Sequence, residues 1–505
     1  MSITSALDIA ASGILTINNQ LAVIANNIAN QSTVSYASEI GNQSAIVAGG
    51  TGMGVVSSAT TRDLDLSLQG ATFTQNATVA SLTTQNAALS AIDGVSGTTG
   101  AGNDLPSLLG NLQAAFTTLS STPDNGAAQS DVVSAASALA SGINNISGAV
   151  AGQRQIAQNN VVGGVAALNV SLAQIGKLNS QIVENQAMGA STADLQNLRD
   201  VSEQAVSNLV AVKFVTAPNG AVQVITNSGL VLPTDGSGLS ATSATITAAS
   251  TYPDDIPGVT LDGTDVTESL TGGSIGAAIA LRDTTLPTRQ AELDEFSEQL
   301  ATRFSAQGLN LFTDGADNVP AAGSPTQANY VGFGSTIEVN PAVSGNVSLV
   351  RDGTQDVVGS STGASSFSTN SGGLAGFTTL IDRVLDYSFG DQIQSNVAQP
   401  TIPTSGLGQE GNVAVAYTPG DTLSSFAAAF SATDAGEVTG ASSQLTAETD
   451  TQTTLQNQLS SRSAVSVDAQ MSNMVQLQNS YAANAKVITA VQGLWADLFA
   501  AVNPS

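Results

Sequence analysis

Ile3, Leu7, Ala10, Ile14, Ile17, Leu21, Ile24 and Ile28 follow one another at alternating spacings of four and three, an unbroken apolar stripe. That spacing predicts an amphipathic helix with a coiled-coil seam. The last stretch of the chain repeats the pattern with Val467, Met471, Met474, Tyr481, Ala485, Ile488, Trp495 and Phe499, interrupted by Gln478 and Gln492. Most helical stability comes from packing the apolar face, so each stripe needs a second surface. That surface is either the other end of this chain or a neighbouring subunit. The competing expectation is an ordinary surface helix on a globular core.

The interior changes period several times. Residues 131–209 carry Leu139, Ile143, Ile146 and Val150, then Val161, Val165, Leu168, Leu172, Ile175 and Ile182, then Leu195, Leu198, Ala205 and Leu209. These predict extended amphipathic helices, weakened locally by Gly163 and Gly164. At Ala211 the pattern becomes alternating: Val212, Phe214 and Val215 precede Pro218-Asn219-Gly220, and Val222, Val224 and Ile225 follow. That is a hairpin signal. A β-rich segment with Asp-Gly turns is expected to about residue 273. Helical spacing returns over residues 275–309, with Pro287 expected to kink or split it. Residues 310–420 are turn-rich, with strands expected at 336–339 and 346–350 and a short helix at 380–385. A final helical zone runs from residue 422.

Proline placement agrees with this division. The first proline is Pro106 and none lies between Pro419 and Pro504, so both flanks are free of helix breakers. The expected fold is mainly α with inserted β domains. A terminal coiled-coil domain takes residues 1–105 and 462–505, including an N-terminal connector. A helical-bundle middle domain takes 106–210, 275–309 and 421–461, and a β-rich outer region takes 211–274 and 310–420.

Composition narrows the function. The 505 residues carry a formal charge of −27, which argues against nucleic acid or an anionic membrane as partner. No stretch approaches the uninterrupted apolar length of a membrane span, and the N-terminus lacks the features of a cleavable signal peptide. The chain has no cysteine and no histidine, which removes thiolate chemistry, the usual general base and the commonest metal ligands. Gly272-Gly273-Ser274-Ile275-Gly276 and Gly359-Ser360-Ser361-Thr362-Gly363 match a nucleophile-elbow spacing, but neither serine has a histidine base. They read as a turn and a loop. Gly176-Lys177 is not a P-loop, since Ser171 stands where the first glycine belongs. Asp314-Gly315-Ala316-Asp317-Asn318 lacks the spaced ligands of a calcium loop and reads as a solvated turn. The run Gly49-Gly50-Thr51-Gly52-Met53-Gly54 reads as a flexible connector. No catalytic residue, metal or cofactor is expected.

Two terminal segments carry a resemblance. Ala25-Asn26-Asn27-Ile28-Ala29-Asn30 followed by Ser35-Tyr36, and Val467-Asp468 with Met471, Gln478 and residues 481–488, resemble the end signatures of the axial proteins of the bacterial flagellum. Within them the chain is most similar to the hook-associated family. Asp194 with Leu198-Arg199-Asp200, Gly276 with Leu281-Arg282, and Ile337-Glu338-Val339-Asn340-Pro341 look like interior landmarks of that family. The chain departs from the family pattern at Thr33-Val34-Ser35-Tyr36, Ser38-Glu39, Ala464 and Ala469-Gln470.

The resemblance implies a non-enzymatic structural adaptor at the junction between flagellar hook and filament. It would be extracellular and exported without a cleavable signal peptide. Implied partners are hook protein, the second hook-associated junction protein, copies of itself in a ring, and a flagellar export chaperone. The assembly residues in this reading are Ile3, Leu7, Ile14, Ile17, Leu21, Ile24, Ile28, Val467, Met471, Met474, Tyr481, Ile488 and Trp495. The alternatives are another axial component of hook-protein type and, more remotely, a secreted adhesin or surface enzyme.

Overall fold

The computed structural model describes residues 3–33, 36–97, 100, 102–415 and 417–502. It is mainly helical, with short β elements inserted between long helices. Helix α1 (Ile3–Ala29) leads into a short strand β1 (Glu39–Ile40), a hairpin of β2 (Gln43–Ala48) and β3 (Thr51–Ser57), and β4 (Thr61–Arg62), which pairs back on β1. Asp65 then caps α2 (Leu66–Ser96) by accepting from the Ser67 and Leu68 amides. The glycine run at 49–54 is therefore no flexible connector. Gly49 and Gly50 take φ of 60° and 78° at the hairpin tip, where a residue with a Cβ would be strained.

The body is built on α3 (Leu105–Ser121), α4 (Gly126–Ala187) and α5 (Ala193–Leu209). Asp104 with Pro106 starts α3 and Asn125 caps α4. At 62 residues α4 runs about 93 Å and passes straight through Gly163 and Gly164. Gly164 answers to packing, since a Cβ there would meet Ile275. Strands β5 (Val212–Thr216), β6 (Val222–Thr226) and β7 (Val231–Leu232) form one antiparallel sheet, with the hairpin turning at Pro218-Asn219-Gly220 as its residues predict.

Beyond residue 232 the expected β-rich segment is largely irregular. Strands β8 (Thr260–Leu261) and β9 (Thr264–Asp265) pair, and a single antiparallel bridge joins Ser240 to Thr260. Amide side chains of α4 take up much of the backbone hydrogen bonding that a sheet would have supplied. Asn169 exchanges two bonds with Leu239, at 2.8 and 2.9 Å, and Gln155 binds the Ala244 carbonyl and the Ile246 amide at 3.0 and 2.9 Å.

The chain returns through α6 (Gly273–Ala280) and α7 (Leu286–Ala306). A single π-helical stretch, residues 281–285, joins them, so Pro287 neither splits nor ends the helix. The wide turn shifts the hydrogen-bond register just before the proline, whose missing N–H then falls in the first turn of α7. Residues 310–420 contain β10 (Phe312–Thr313) paired with β11 (Glu338–Val339), then α8 (Pro341–Gly345), α9 (Leu349–Asp352) and α10 (Thr379–Arg383). Two further two-stranded ladders are β12 (Gln392–Gln394) with β13 (Val397–Ala398), and β14 (Ser405–Leu407) with β15 (Val413–Ala414). The strand expected at 346–350 is instead a turn entering α9. Bonds from the Asp352 and Gly353 amides to the Ser348 and Leu349 carbonyls wind it, and Gly353 at φ 90° ends it.

Thr422 and Ser425 form a capping box that opens α11 (Leu423–Ser463), and α12 (Val467–Val502) follows after a three-residue break. One large core joins α3, the first part of α4, α7, residues 309–389 and the start of α11, around Phe116, Phe296, Phe304, Phe312 and Phe426. A second core lies between the later part of α4, α5, α6 and the β5–β7 sheet. Most of the 310–420 segment therefore caps the end of the helical body and is not a separate sheet layer.

Candidate assembly interface

Helices α1 and α12 lie antiparallel. Gly13 sits against Asn484, and one cleft is lined by Gln20, Val23 and Ile24 from α1 and by Asn473, Gln476 and Leu477 from α12. On α1, Ala10, Ile17 and Ile24 are buried, while Ile3, Leu7, Ile14, Leu21 and Ile28 are half-buried. The whole expected α1 stripe thus faces inward. On α12, Val467, Met474, Ile488 and Trp495 are half-buried, but Met471, Tyr481 and Phe499 are exposed.

The α12 seam within the chain therefore closes on the other flank from the one expected. Leu477, Asn484 and Val491 complete it, and Val491 is 5% exposed. A 4-3 repeat can be closed from either side, and Gly13 decides it by leaving room for the polar Asn484. A glycine inside an apolar helical stripe was the signal for this. Outside the seam α12 presents Met471, Val475, Tyr481, Val487, Leu494, Leu498, Phe499 and Val502 to solvent.

At the foot of this pair the terminal region is bolted to α5. Asn27 holds both backbone groups of Glu39: its Nδ2 donates to the Glu39 carbonyl at 2.8 Å and its Oδ1 accepts the Glu39 amide at 2.9 Å. The Tyr36 hydroxyl donates to the same Oδ1 at 3.0 Å. Asn26 donates to Asp194 at 2.8 Å, and Arg62 reaches Asp200 at 2.6 Å with Gln69 donating to the same carboxylate at 2.7 Å. Asn197 closes the ring by bonding the Ala37 backbone and the Glu39 carboxylate at 3.2 Å. Two of the landmarks read from sequence, Asn26-Asn27 and Asp194 with Asp200, meet here. Of the partners that join them, Arg62 carries no pattern of its own, while Glu39 stands where the chain departs from the family pattern. Burial, with the nearby Asp194 carboxylate second, pushes Glu39 up to about 7. Val34 and Ser35 lie outside the described residues.

The other landmarks are structural. Arg282 is fully buried, forks onto Asp283 at 2.7 Å and donates to Gln158 at 2.6 Å. Its carbonyl accepts from Arg154, which also holds the Thr247 and Ser250 carbonyls. Asn340 caps α8 ahead of Pro341. Gly272 and Gly273 form the turn that opens α6, and Asp314 closes its own turn by accepting the Ala316 and Asn318 amides at 2.9 and 2.8 Å. Among the described residues no group of acidic, His or Cys side chains could hold a metal ion.

By length and composition alone, Ile3–Ala29, Gly126–Ala187 and Leu423–Val502 are apolar enough to cross a membrane. The apolar stripe of α4 is covered within the chain. Asn18, Asn19, Asn26 and Asn27 in α1, and Gln476, Gln478, Asn479 and Asn484 in α12, would each need a polar partner in hydrocarbon.

Comparison with known proteins agrees with this architecture. The flagellar hook-associated protein FlgK helical domain model matches residues 89–317, which run from the end of α2 into the segment after α7. The flagellar basal body rod FlgEFG protein C-terminal model matches residues 456–499, the end of α11 and nearly all of α12. No curated protein matches. The solved structure of the flagellar hook junction protein FlgK from Burkholderia pseudomallei is 24% identical, with a TM-score of 0.40. That match covers 51% of this chain and 47% of the other, so the chain spans about half the length of that structure. The last helix is similar to the C-terminal segment of flagellar basal body rod proteins. The helical body is similar to the helical domain of the flagellar hook-associated protein FlgK over residues 89–317, somewhat less than half of the chain.

Proposed function

We propose that this chain is a structural adaptor between flagellar hook and filament, and that it assembles through the outer faces of α1 and α12. One observation carries the reading: a FlgK-type helical body is joined to a terminal helix pair whose exposed side carries Leu15, Met471, Val475, Val487 and Leu494 among small and amide side chains, with few charges. The helical domain at 89–317 favours this over a hook-protein-like component. In this reading the partners are hook protein on one side, the second hook-associated junction protein on the other, copies of the chain in a ring, and an export chaperone before assembly. The protein acts outside the cell, in the flagellum, and catalyses no reaction.

The test uses positions that face solvent in the single chain. Val475, 53% exposed, and the exposed Leu494 are suited to it; Leu21 and Ile488 sit half-buried in the seam and would also disturb pairing. Val475→Asp and Leu494→Asp should leave monomer melting within about 0.5 kcal/mol of wild type, the usual range for surface substitutions. Both should be lost from isolated flagella, because an unpaired charge cannot be buried in an apolar contact. Normal incorporation of both variants would overturn the assignment.

A further inference from the structure

We propose that the β2–β3 hairpin is a second, lateral assembly element, which seats on the outward face of α12 in a neighbouring copy of this chain, around Met471 and Val475. The proposal rests on the junction reading above and adds a contact to it.

The hairpin stands out from the rest of the molecule. Its register runs from Gln43 opposite Ser57 to Ala48 opposite Thr51, so it is a formed ribbon. Yet every residue of β2 is exposed, and Ile46, Val47, Met53 and Val56 present large apolar side chains to solvent, with Val47 at 63%. A two-stranded ribbon is at best marginally stable by itself. One side of this one is supported: the Val55 amide donates to Ser12 of α1 at 3.2 Å, and a Cβ at Gly54 would collide with the same serine. The other side has no cover among the described residues.

Open strand edges are normally guarded by Lys, Pro or other charges against pairing with another chain. Residues 40–61 contain no charged residue and no proline. In a chain of net charge −27 that absence decides the occupant. Two copies repel across most of their surfaces and can approach closely only where both are neutral. The exposed large apolar side chains concentrate on this ribbon and on α12 of the terminal pair, where Met471 and Val475 lie within a stretch with no charged residue between Asp468 and Lys486.

The geometry gives the contact a direction. Ser12 and Ile9, which meet the hairpin, lie roughly 100° around α1 from the Ala10, Ile17 and Ile24 face. Hairpin and α12 therefore occupy different sides of α1. Two unlike patches on one chain make a head-to-tail contact, which generates rings or helical tubes and not closed pairs.

The experiment places a benzophenone photo-crosslinker at position 47 of the full chain, incorporated in flagella beside isotopically labelled wild-type copies. Trypsin cuts after Arg462 and Lys486, so the expected adduct is to the labelled 463–486 peptide of another copy. Val47→Asp should reduce incorporation at least tenfold without changing the melting of the monomer. Adducts confined to the chain's own residues, to another hairpin or to a different protein would overturn the hairpin assignment while leaving the junction reading standing. So would normal incorporation of Val47→Asp. Absence of the unsubstituted chain from flagella would overturn both.

Discussion

The helical body and the terminal helix pair solve the same packing problem to different depths. In the body Leu112, Phe116, Val132, Leu139, Ile143, Phe296 and Phe304 are fully inaccessible, covered by several neighbouring elements of one shared core. In the pair each helix covers only one face of the other, and α12 buries little besides Val491. The body is complete as a single chain. The pair resembles half of a core, with its remaining apolar surface facing outward. Local stability follows the density of buried apolar contacts, so the two regions should respond differently to the same kind of damage.

The largest effect is expected in the body. Phe304 contacts the rings of Phe116, Phe312 and Phe389 at centroid distances of 5.9, 5.6 and 5.4 Å. Phe304→Ala should cost about 3–5 kcal/mol, the transfer of a buried ring plus the cavity it leaves. Thermal melting of the monomer should shift as one cooperative transition of the body. A melt unchanged within error would show that this core does not carry the body's stability.

A smaller, local effect is expected at the seam. Val491→Asp sets a carboxylate against α1 with no cation among the described residues of that helix to receive it, which should separate the pair at a cost of a few kcal/mol. Amide exchange should then accelerate across α1 and α12, while α4 keeps its protection and the melting of the body does not move. Acceleration in α4 as well would mean that the two regions unfold together and that the contrast drawn here is wrong.

What the residues made legible follows the same divide. The α4 stripe from Leu139 to Ile182 could be read directly because a fully buried face leaves an uninterrupted period. On α12 the period was visible but its facing was not, since a helix with apolar positions on both flanks gives no preference until Gly13 and Asn484 are brought together. The hairpin at 43–57 was missed because its apolar residues run together, as in Ala45-Ile46-Val47-Ala48 and Val55-Val56, without alternating, and the glycines at its tip read as a loop. The irregular path of residues 233–259 was missed for another reason: Asn169 and Gln155 hold it, and polar positions on a helix carry no periodic signal of their bonds. The turn at Pro218-Asn219-Gly220, by contrast, lay where its residues predict, with Gly220 at φ 82°.

The smallest effect separates the regions by pH. Burial pushes Glu292 and Asp294 up to about 7 and Glu298 to about 8 within α7, although Arg289 lies 2.9 Å from Glu292, and Asp294 accepts the Gly332 and Gly334 amides at 2.7 and 2.8 Å. The same carboxyls titrate near 4 in an unfolded chain. Between about pH 5 and 8 the folded body therefore holds protons that the unfolded chain has released. Its stability should fall as pH rises through that window, by at most about 1.4 kcal/mol per pH unit for each proton. The acids held below their ordinary values, such as Asp104 and Asp352, are ionised in both states there and do not oppose the trend. Among the described residues the α1–α12 seam buries no carboxylate, so exchange across residues 3–20, corrected for its intrinsic rate, should be flat over the same range. Glu298→Gln keeps the shape of the side chain and removes its proton; the melting temperature of the body should then decline less steeply from pH 5 to 8. A slope identical to wild type would assign the pH dependence to other groups.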